Sequence, residues 1–502
     1  MKTFIPAKQR LVMSVLSKPM WVILIFGTIG ISAYAHIRAG FTLPNPWNDE
    51  AWFLWPAVSF MEQNTLHSAY LNPDRLMSLW PVYQVPLGLL FKITGFSFGL
   101  ARWTSWFYLL LAYGGILELV RTRPMPLLTS AITSLFFLGG SAVVTGNMGR
   151  PEAMVWALAV WSTVWLDRGH PWKALAFSFG CALTHQAGVF FCAGTVLCSL
   201  GLTVRSHLSW KMKPSDRILL GIAGAIGLAQ GFFMLSNWSD YWIVTRSIMN
   251  ESMGKGVFTR LLCSNKTPIL AAHGTLLLVT AWRSPRLLPP VVLGGVAFSI
   301  MLIRNQMWYE IYNHMSFLLL TLSIGWLAHA LVQQLASRLI PRMAEGIRQV
   351  FPLATMGLIL LPLLKFKYAH GFITGPRNYP DKLGWGWGMQ VATQPYMTEA
   401  DITAVVQKIE RHTTIGRPCR VFFMPEGDGL FYHGRLPANI QPYYGLAAQD
   451  KGDMAIVHVS RHQPEWWRQA RVLQYIEQQE ATDRPPFHVR DNTEQWVWIP
   501  RP

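Results

Sequence analysis

Long apolar runs separated by short polar turns recur from residue 20 to residue 366. They cover residues 20–37, 101–120, 125–145, 152–167, 172–184, 187–204, 218–236, 268–282, 287–303, 312–332 and 350–366. At ~1.5 Å per residue, most can cross a hydrocarbon core of ~30 Å as helices, which predicts about eleven transmembrane segments. The shortest run, 172–184, has the weakest boundaries. Residues 79–97 predict a further helix, lying at the interface or tucked into the bundle rather than spanning it. The fold class expected is an α-helical polytopic membrane protein.

The pattern changes after Thr374. Runs of alternating or continuous apolar residues, CRVFFM (419–424), MAIVHV (454–459), PFHV (486–489) and QWVWI (495–499), predict strands. They alternate with helical patterns at 399–412 and 464–480, so a small C-terminal α/β domain is expected outside the membrane. GWGWG at 384–388 fits neither a helix nor a strand interior and predicts a connector. The chain then divides into an N-terminal segment (1–19), a membrane domain (20–366) with its first outer loop at 38–100, a linker (367–389) and an α/β domain (390–502).

Composition agrees: 51% of the 502 residues are hydrophobic and 14% are charged. The formal net charge of +17 does not indicate nucleic acid, because no aromatic and basic RNA motif is present. The basic residues cluster at Lys2 to Lys18, Arg121 to Arg123, Arg168 to Lys173, Arg205 to Arg217, Arg283 to Arg286 and Arg338 to Arg348. Placing all six clusters in the cytoplasm gives an alternating topology with the N-terminus inside and the C-terminus outside. AYAHIRAGF lacks a small-residue cleavage site, so the first apolar run is read as an uncleaved span. Cys181, Cys192 and Cys198 lie in apolar runs as small hydrophobes, and Cys263 and Cys419 can pair only in an oxidising compartment.

On this map, polar segments collect on the outer face. They are NPWNDEAWFLW (45–55), NMGRPE (147–152), THQ (184–186), the loop 237–260 and RNQMWYEIYNH (304–314). Two adjacent carboxylates, Asp49 and Glu50, stand shortly after the first span. Ionisable groups at such a boundary are functional candidates by default. Cations on the same face, Arg102, Arg150, Arg246, Arg260, Arg304 and His314, suit a phosphate, although arginines at helix ends also reach the interface without binding anything. Arg304 and His314 are favoured, because Tyr309, Tyr312 and Asn313 supply further donors between them. Trp47, Trp52, Trp55 and Trp80 read as an interfacial belt.

The order of a basic N-terminus, one span, an outer loop with DEAWFLWPAVSFMEQNT, the helix PVYQVPLGLLFKITGFSFGLARW, a basic inner turn and GRPEAMVWALAVW resembles a known family. It is similar to the GT-C class of polytopic glycosyltransferases. Within that class the likeness is to the branch of protein O-mannosyltransferases and lipid A aminoarabinose transferase, the dolichyl-phosphate-mannose-protein mannosyltransferase-like family. The resemblance covers roughly residues 10–204, with a vaguer echo to 366. It implies an enzyme of the inner (plasma) membrane that moves a hexosyl or pentosyl unit from a polyprenyl-phosphate donor to a lipid, glycan or protein acceptor on the outer face, with inversion.

The resemblance also implies roles. Asp49 matches the aspartate that activates the acceptor, with Glu50 orienting it. Glu152 matches a second acidic position that pairs with a cation in the next outer turn, which here is His185 where relatives often carry lysine. No cofactor is expected besides the donor, and no metal site is assigned, although Asp49, Glu50 and Glu152 leave a divalent ion open. The alternative is a transporter or flippase of lipid-linked sugars, against which stand the absence of paired inverted halves and the confinement of acidic motifs to the first third.

Overall fold

The computed structural model describes residues 7–38, 48–66, 81–138, 142, 145–146, 148–205, 208–236, 238–239, 242, 267–304, 310–336, 399–412, 419–424, 430, 432–437, 439–443, 454–460, 487–488 and 494–500. The helices are α1 (Ala7–Arg38), α2 (Asn48–Gln63), α3 (Pro81–Thr94), α4 (Phe98–Arg121), α5 (Pro126–Phe137), α6 (Glu152–Asp167), α7 (Pro171–Thr184), α8 (Gln186–Val204), α9 (Pro214–Ser236), α10 (Thr267–Arg283), α11 (Leu288–Arg304), α12 (Glu310–Ala336) and α13 (Glu399–His412). Prolines begin several of them, where a missing N–H costs nothing because the first turn has no internal partner.

The bundle is organised around α6, which packs against α4, α7, α8 and α11. Its buried residues, Val155, Trp156, Ala159 and Val160 among them, recur at helical spacing and share one apolar core with Tyr113 and Ile116 of α4, Phe191 of α8 and Tyr312, Leu319 and Trp326 of α12. Between helices in lipid such a core is held by close van der Waals packing rather than by removal of apolar surface from water. Among the described residues, Phe98–Arg121, Gln186–Val204 and Pro214–Ser236 are long and apolar enough to cross a membrane. Pro19–Tyr34, Pro126–Phe137, Pro285–Ile300 and Leu318–Ala330 are shorter apolar stretches. The predicted span 350–366, the linker and the predicted helix 464–480 lie outside the described residues.

Two elements depart from the sequence reading. The first outer loop contains a helix, α2, which carries Asp49 and Glu50 in its first turn and continues through an internal Pro56. Within the apolar run 125–145, α5 ends at Phe137, and residues 142 and 145–146 are again helical.

The sharpest sorting is by charge. Arg121, Arg123, Asp167, Arg168 and Glu118 meet at one end of the bundle. There Arg123 pairs with Asp167 and donates to the Arg286 carbonyl, while Glu118 is shared by Arg121 and Arg168. Basic residues distant in sequence therefore converge at one end of the bundle.

The C-terminal strands β1 (Cys419–Met424), β2 (Ile440–Tyr443), β3 (Met454–Ser460), β4 (Phe487–His488) and β5 (Glu494–Pro500) form one mixed sheet in the order β2-β1-β3-β5-β4. β1 runs parallel to β2 and β3, whereas β5 is antiparallel to β3 and β4. The four predicted strands and α13 are present. β2 is the addition: Pro442 interrupts its pattern, which an edge strand tolerates because its outer N–H groups need no ladder partner.

Ile402 and Val405 of α13, Leu430, Tyr432 and Ile440 share a buried apolar cluster with Phe53, Trp55 and Val58 of α2 and Leu87 and Phe91 of α3. His433 Nε2 lies 3.3 Å from a Glu62 carboxylate oxygen, and its ring meets the edges of Trp55 and Phe96. Burial lowers the pKa of His433, and Glu62 opposes that shift. The C-terminal segment is thus seated directly on the helices of the first outer loop.

Candidate active site

The first turn of α2 brings Glu50 to the junction with α4 and the turn 148–151. Glu50 is fully buried, and its carboxylate accepts from Arg102 Nε at 3.2 Å and Nη2 at 2.8 Å. It also accepts from the Gly149 backbone N–H at 2.6 Å. Arg102, equally buried, lies with its guanidinium carbon 4.4 Å from the Phe98 ring centroid. A bidentate arginine and a backbone donor satisfy a carboxylate that would be prohibitively costly to bury alone. Gly149 fits because a side chain there would press on Leu54 at 3.1 Å.

A second ion pair stands beside the first. Arg150 Nε donates to both carboxylate oxygens of Glu152 at 3.1 Å, and both side chains are buried. Pro151 turns the chain between them and leads into α6, so the pair closes across that helix start. His185 caps α8 with extended backbone, its Nδ1 accepting from the Ala187 N–H at 3.3 Å. That bond leaves Nε2 as the protonated nitrogen of the neutral ring. The ring lies within electrostatic reach of Glu152 and edge-on to Phe53, 6.0 Å between centroids. Arg150 covers the same Phe53 ring at 5.5 Å. Gly188 permits the tight α7–α8 turn, since an added Cβ would fall 1.8 Å from the Cys181 carbonyl oxygen.

Tyr83 of α3 joins this group from the other side. Burial raises its pKa well above the ordinary phenol value, Ser105 works against the shift, and Glu152 and Glu50 add to it. The phenol is therefore held protonated. Gln84 beside it is fully buried, with neither amide atom hydrogen-bonded among the described residues. Tyr83 and Gln84 carried no distinguishing signal in sequence, since α3 reads there as an apolar helix.

The expected arrangement needs two adjustments. Arg102 and Arg150 stood among the phosphate candidates, and both are buried and engaged with carboxylates. The partner of Glu152 is Arg150, two residues away, rather than His185 alone. Asp49 lies in the first turn of α2. Arg304 ends α11, and His314 lies in the second turn of α12. Between them Tyr312 is buried near Trp156, one turn beyond Glu152, with ring centroids 6.5 Å apart. The starts of α6 and α12 thus occupy the same end of the bundle. Arg246, Arg260 and Tyr309 lie outside the described residues.

No family model matches the sequence, and no curated protein matches it significantly. Solved structures do. ArnT from Cupriavidus metallidurans bound to undecaprenyl phosphate superposes with a TM-score of 0.53 and 13% identity, over 95% of this chain and 98% of that one. The apo state of the same ArnT gives 0.50 and 13%, over 96% and 98%. The fold is that of ArnT.

ArnT is the lipid A aminoarabinose transferase of the GT-C class, the branch that the order of motifs resembles. The likeness extends past residue 204, where the sequence resemblance fades, to 95% of this chain and 98% of that one. Among the described residues no group of three or more His, Cys, Asp and Glu side chains is placed to hold a metal ion.

Proposed function

We propose that the chain is an integral membrane glycosyltransferase that takes a sugar from a polyprenyl-phosphate donor and transfers it to a lipid, glycan or protein acceptor on the outer face. The observation that carries this reading is the fully buried Glu50–Arg102 pair, which locks the first turn of α2 against α4 and the turn 148–151. Asp49 immediately precedes Glu50 on that turn. The ArnT fold, and the undecaprenyl phosphate bound by the ArnT neighbour, support the donor class.

In this reading Asp49 takes the proton of the acceptor hydroxyl as it attacks the anomeric carbon. A positioned base of this kind contributes ~10²- to 10⁴-fold. Glu50 fixes the backbone that presents Asp49, and Arg150 does the same for Glu152. Tyr83 and His185 lie within electrostatic reach of the same carboxylates. As the glycosidic bond breaks, the polyprenyl phosphate gains charge, which Arg304 and His314 stabilise from the adjoining helix ends. A single displacement of this type inverts the anomeric centre.

Removing the phosphate partner should separate binding from folding. Arg304→Ala is expected to weaken binding of a polyprenyl-phosphate sugar by about 1.5–3 kcal/mol, the worth of a charge-assisted hydrogen bond, while the melting temperature in detergent changes little. Titration of donor into purified protein checks this. Unchanged affinity would move the phosphate site to Arg246 or Arg260.

The same reading requires the C-terminal segment and the site to share one side of the membrane. Reporter tags after Lys211 and Arg342 are expected to be cytoplasmic, and tags near Asn250 and at Pro502 to be outside. Accessibility labelling in whole cells decides it. A cytoplasmic Pro502 would overturn the orientation.

A further inference from the structure

At the end of the bundle away from the carboxylates, α6, α7, α8 and α9 build a corner of cations and tryptophans that the transfer reaction does not use. Leu208 anchors it, buried with Leu166, Ala174 and Leu202, so the segment 208–213 is held against the helix ends. Trp172 Nε1 donates to the Trp210 carbonyl at 2.9 Å, and the two rings meet edge to face at 5.1 Å. Trp210 Nε1 in turn donates to Thr203 Oγ1 at 2.7 Å. Lys173 Nζ lies 4.5 Å from the Trp165 ring centroid, and the Arg168 guanidinium lies 5.3 Å from it. Lys211, Met212 and Lys213 follow on the exposed side of this wall.

The carboxylates nearby are already engaged. Glu118 is shared by Arg121 and Arg168, and Asp167 is paired with Arg123. Asp216 caps the start of α9, accepting from the Lys213 backbone N–H at 2.9 Å. Lys173, Lys211 and Lys213 have no ion pair among the described residues. His170 reports the resulting field: burial lowers its pKa, Lys213, Lys173 and Arg168 lower it further, and Asp216 alone opposes them. Flanking the cations, Val204 is 83% exposed and Ile218 64% exposed at the ends of apolar helices. Cations, pinned indoles and bare aliphatic side chains at one level match a phospholipid in all its parts.

We propose that this corner is a docking site for the headgroup of an anionic phospholipid, with Lys173 and Lys213 at the phosphate and Val204 and Ile218 along the acyl chains. Uncompensated positive charge selects an anionic over a zwitterionic headgroup. The apolar flanks select a lipid over a free anion. The inference is independent of the transfer reaction.

Full-length protein, purified in detergent and stripped of lipid, is titrated with short-chain phosphatidylglycerol, phosphatidylcholine and inorganic phosphate. Phosphatidylglycerol is expected to bind more tightly than phosphatidylcholine, and inorganic phosphate to compete poorly. At about five-fold per lysine near a charged headgroup, Lys173→Gln combined with Lys213→Gln should weaken phosphatidylglycerol binding about 25-fold. Lys173→Arg with Lys213→Arg should retain it, which separates loss of charge from loss of packing. Lys92→Gln on α3 is the control and should have no effect. Equal binding of phosphatidylcholine, full binding by the double glutamine variant, or efficient competition by inorganic phosphate would each overturn the proposal.

Discussion

Asp49→Asn is expected to abolish transfer while leaving the protein folded and able to bind donor. Asparagine preserves the shape of the side chain and its place in the first turn of α2, but it cannot accept a proton. Loss of a general base should lower the rate by at least ~10²-fold. Because the phosphate contacts are assigned to α11 and α12, donor affinity should stay within about a factor of two of wild type, well below the ten-fold that ~1.4 kcal/mol would give. The measurement is transfer in lipid-reconstituted protein alongside donor titration. A variant that transfers at the wild-type rate would remove Asp49 from the chemistry.

The second large effect belongs to the pair behind it. Arg102 and Glu50 are both fully buried, joined at 2.8 Å. Arg102→Ala leaves an uncompensated carboxylate in the core, so it should destabilise the protein by about 3–5 kcal/mol, seen as a marked fall in melting temperature in detergent. Replacing both partners by apolar residues, Glu50→Leu with Arg102→Met, should recover much of that stability, because no charge is stranded. Transfer should stay low in the double variant, since the backbone ahead of Glu50 has lost its lock. If the double variant regained activity along with stability, the pair would be structural only. Glu50→Gln alone should reduce transfer less than Asp49→Asn.

Much of the architecture was legible because membrane helices announce themselves by length and polarity. The run 152–167 coincides with α6, and the helical pattern 399–412 coincides with α13. What escaped was local chemistry at odds with pattern. NPWND and Pro56 read as loop, yet α2 forms, its Trp55, Ala57 and Val58 all buried in the cluster shared with α3 and the C-terminal segment. Tertiary burial outweighed the proline penalty there.

The site was legible in kind rather than in pairing. Glu50 and Arg102 are 52 positions apart, and no periodicity links them. Glu152 and Arg150 are two residues apart, but their pairing depends on how Pro151 turns the chain. Salt-bridged arginines and phosphate-seeking arginines look alike in a sequence, and only burial tells them apart.

The central claim is tested most directly by following the fate of donor in proteoliposomes. Polyprenyl-phosphate sugar labelled in the sugar is supplied with the candidate acceptors of the envelope, and both released polyprenyl phosphate and labelled acceptor are quantified by mass spectrometry. A glycosyltransferase yields the two products in equal amounts, and Asp49→Asn yields neither. Movement of intact donor across the bilayer without release of polyprenyl phosphate would contradict the account and favour a flippase.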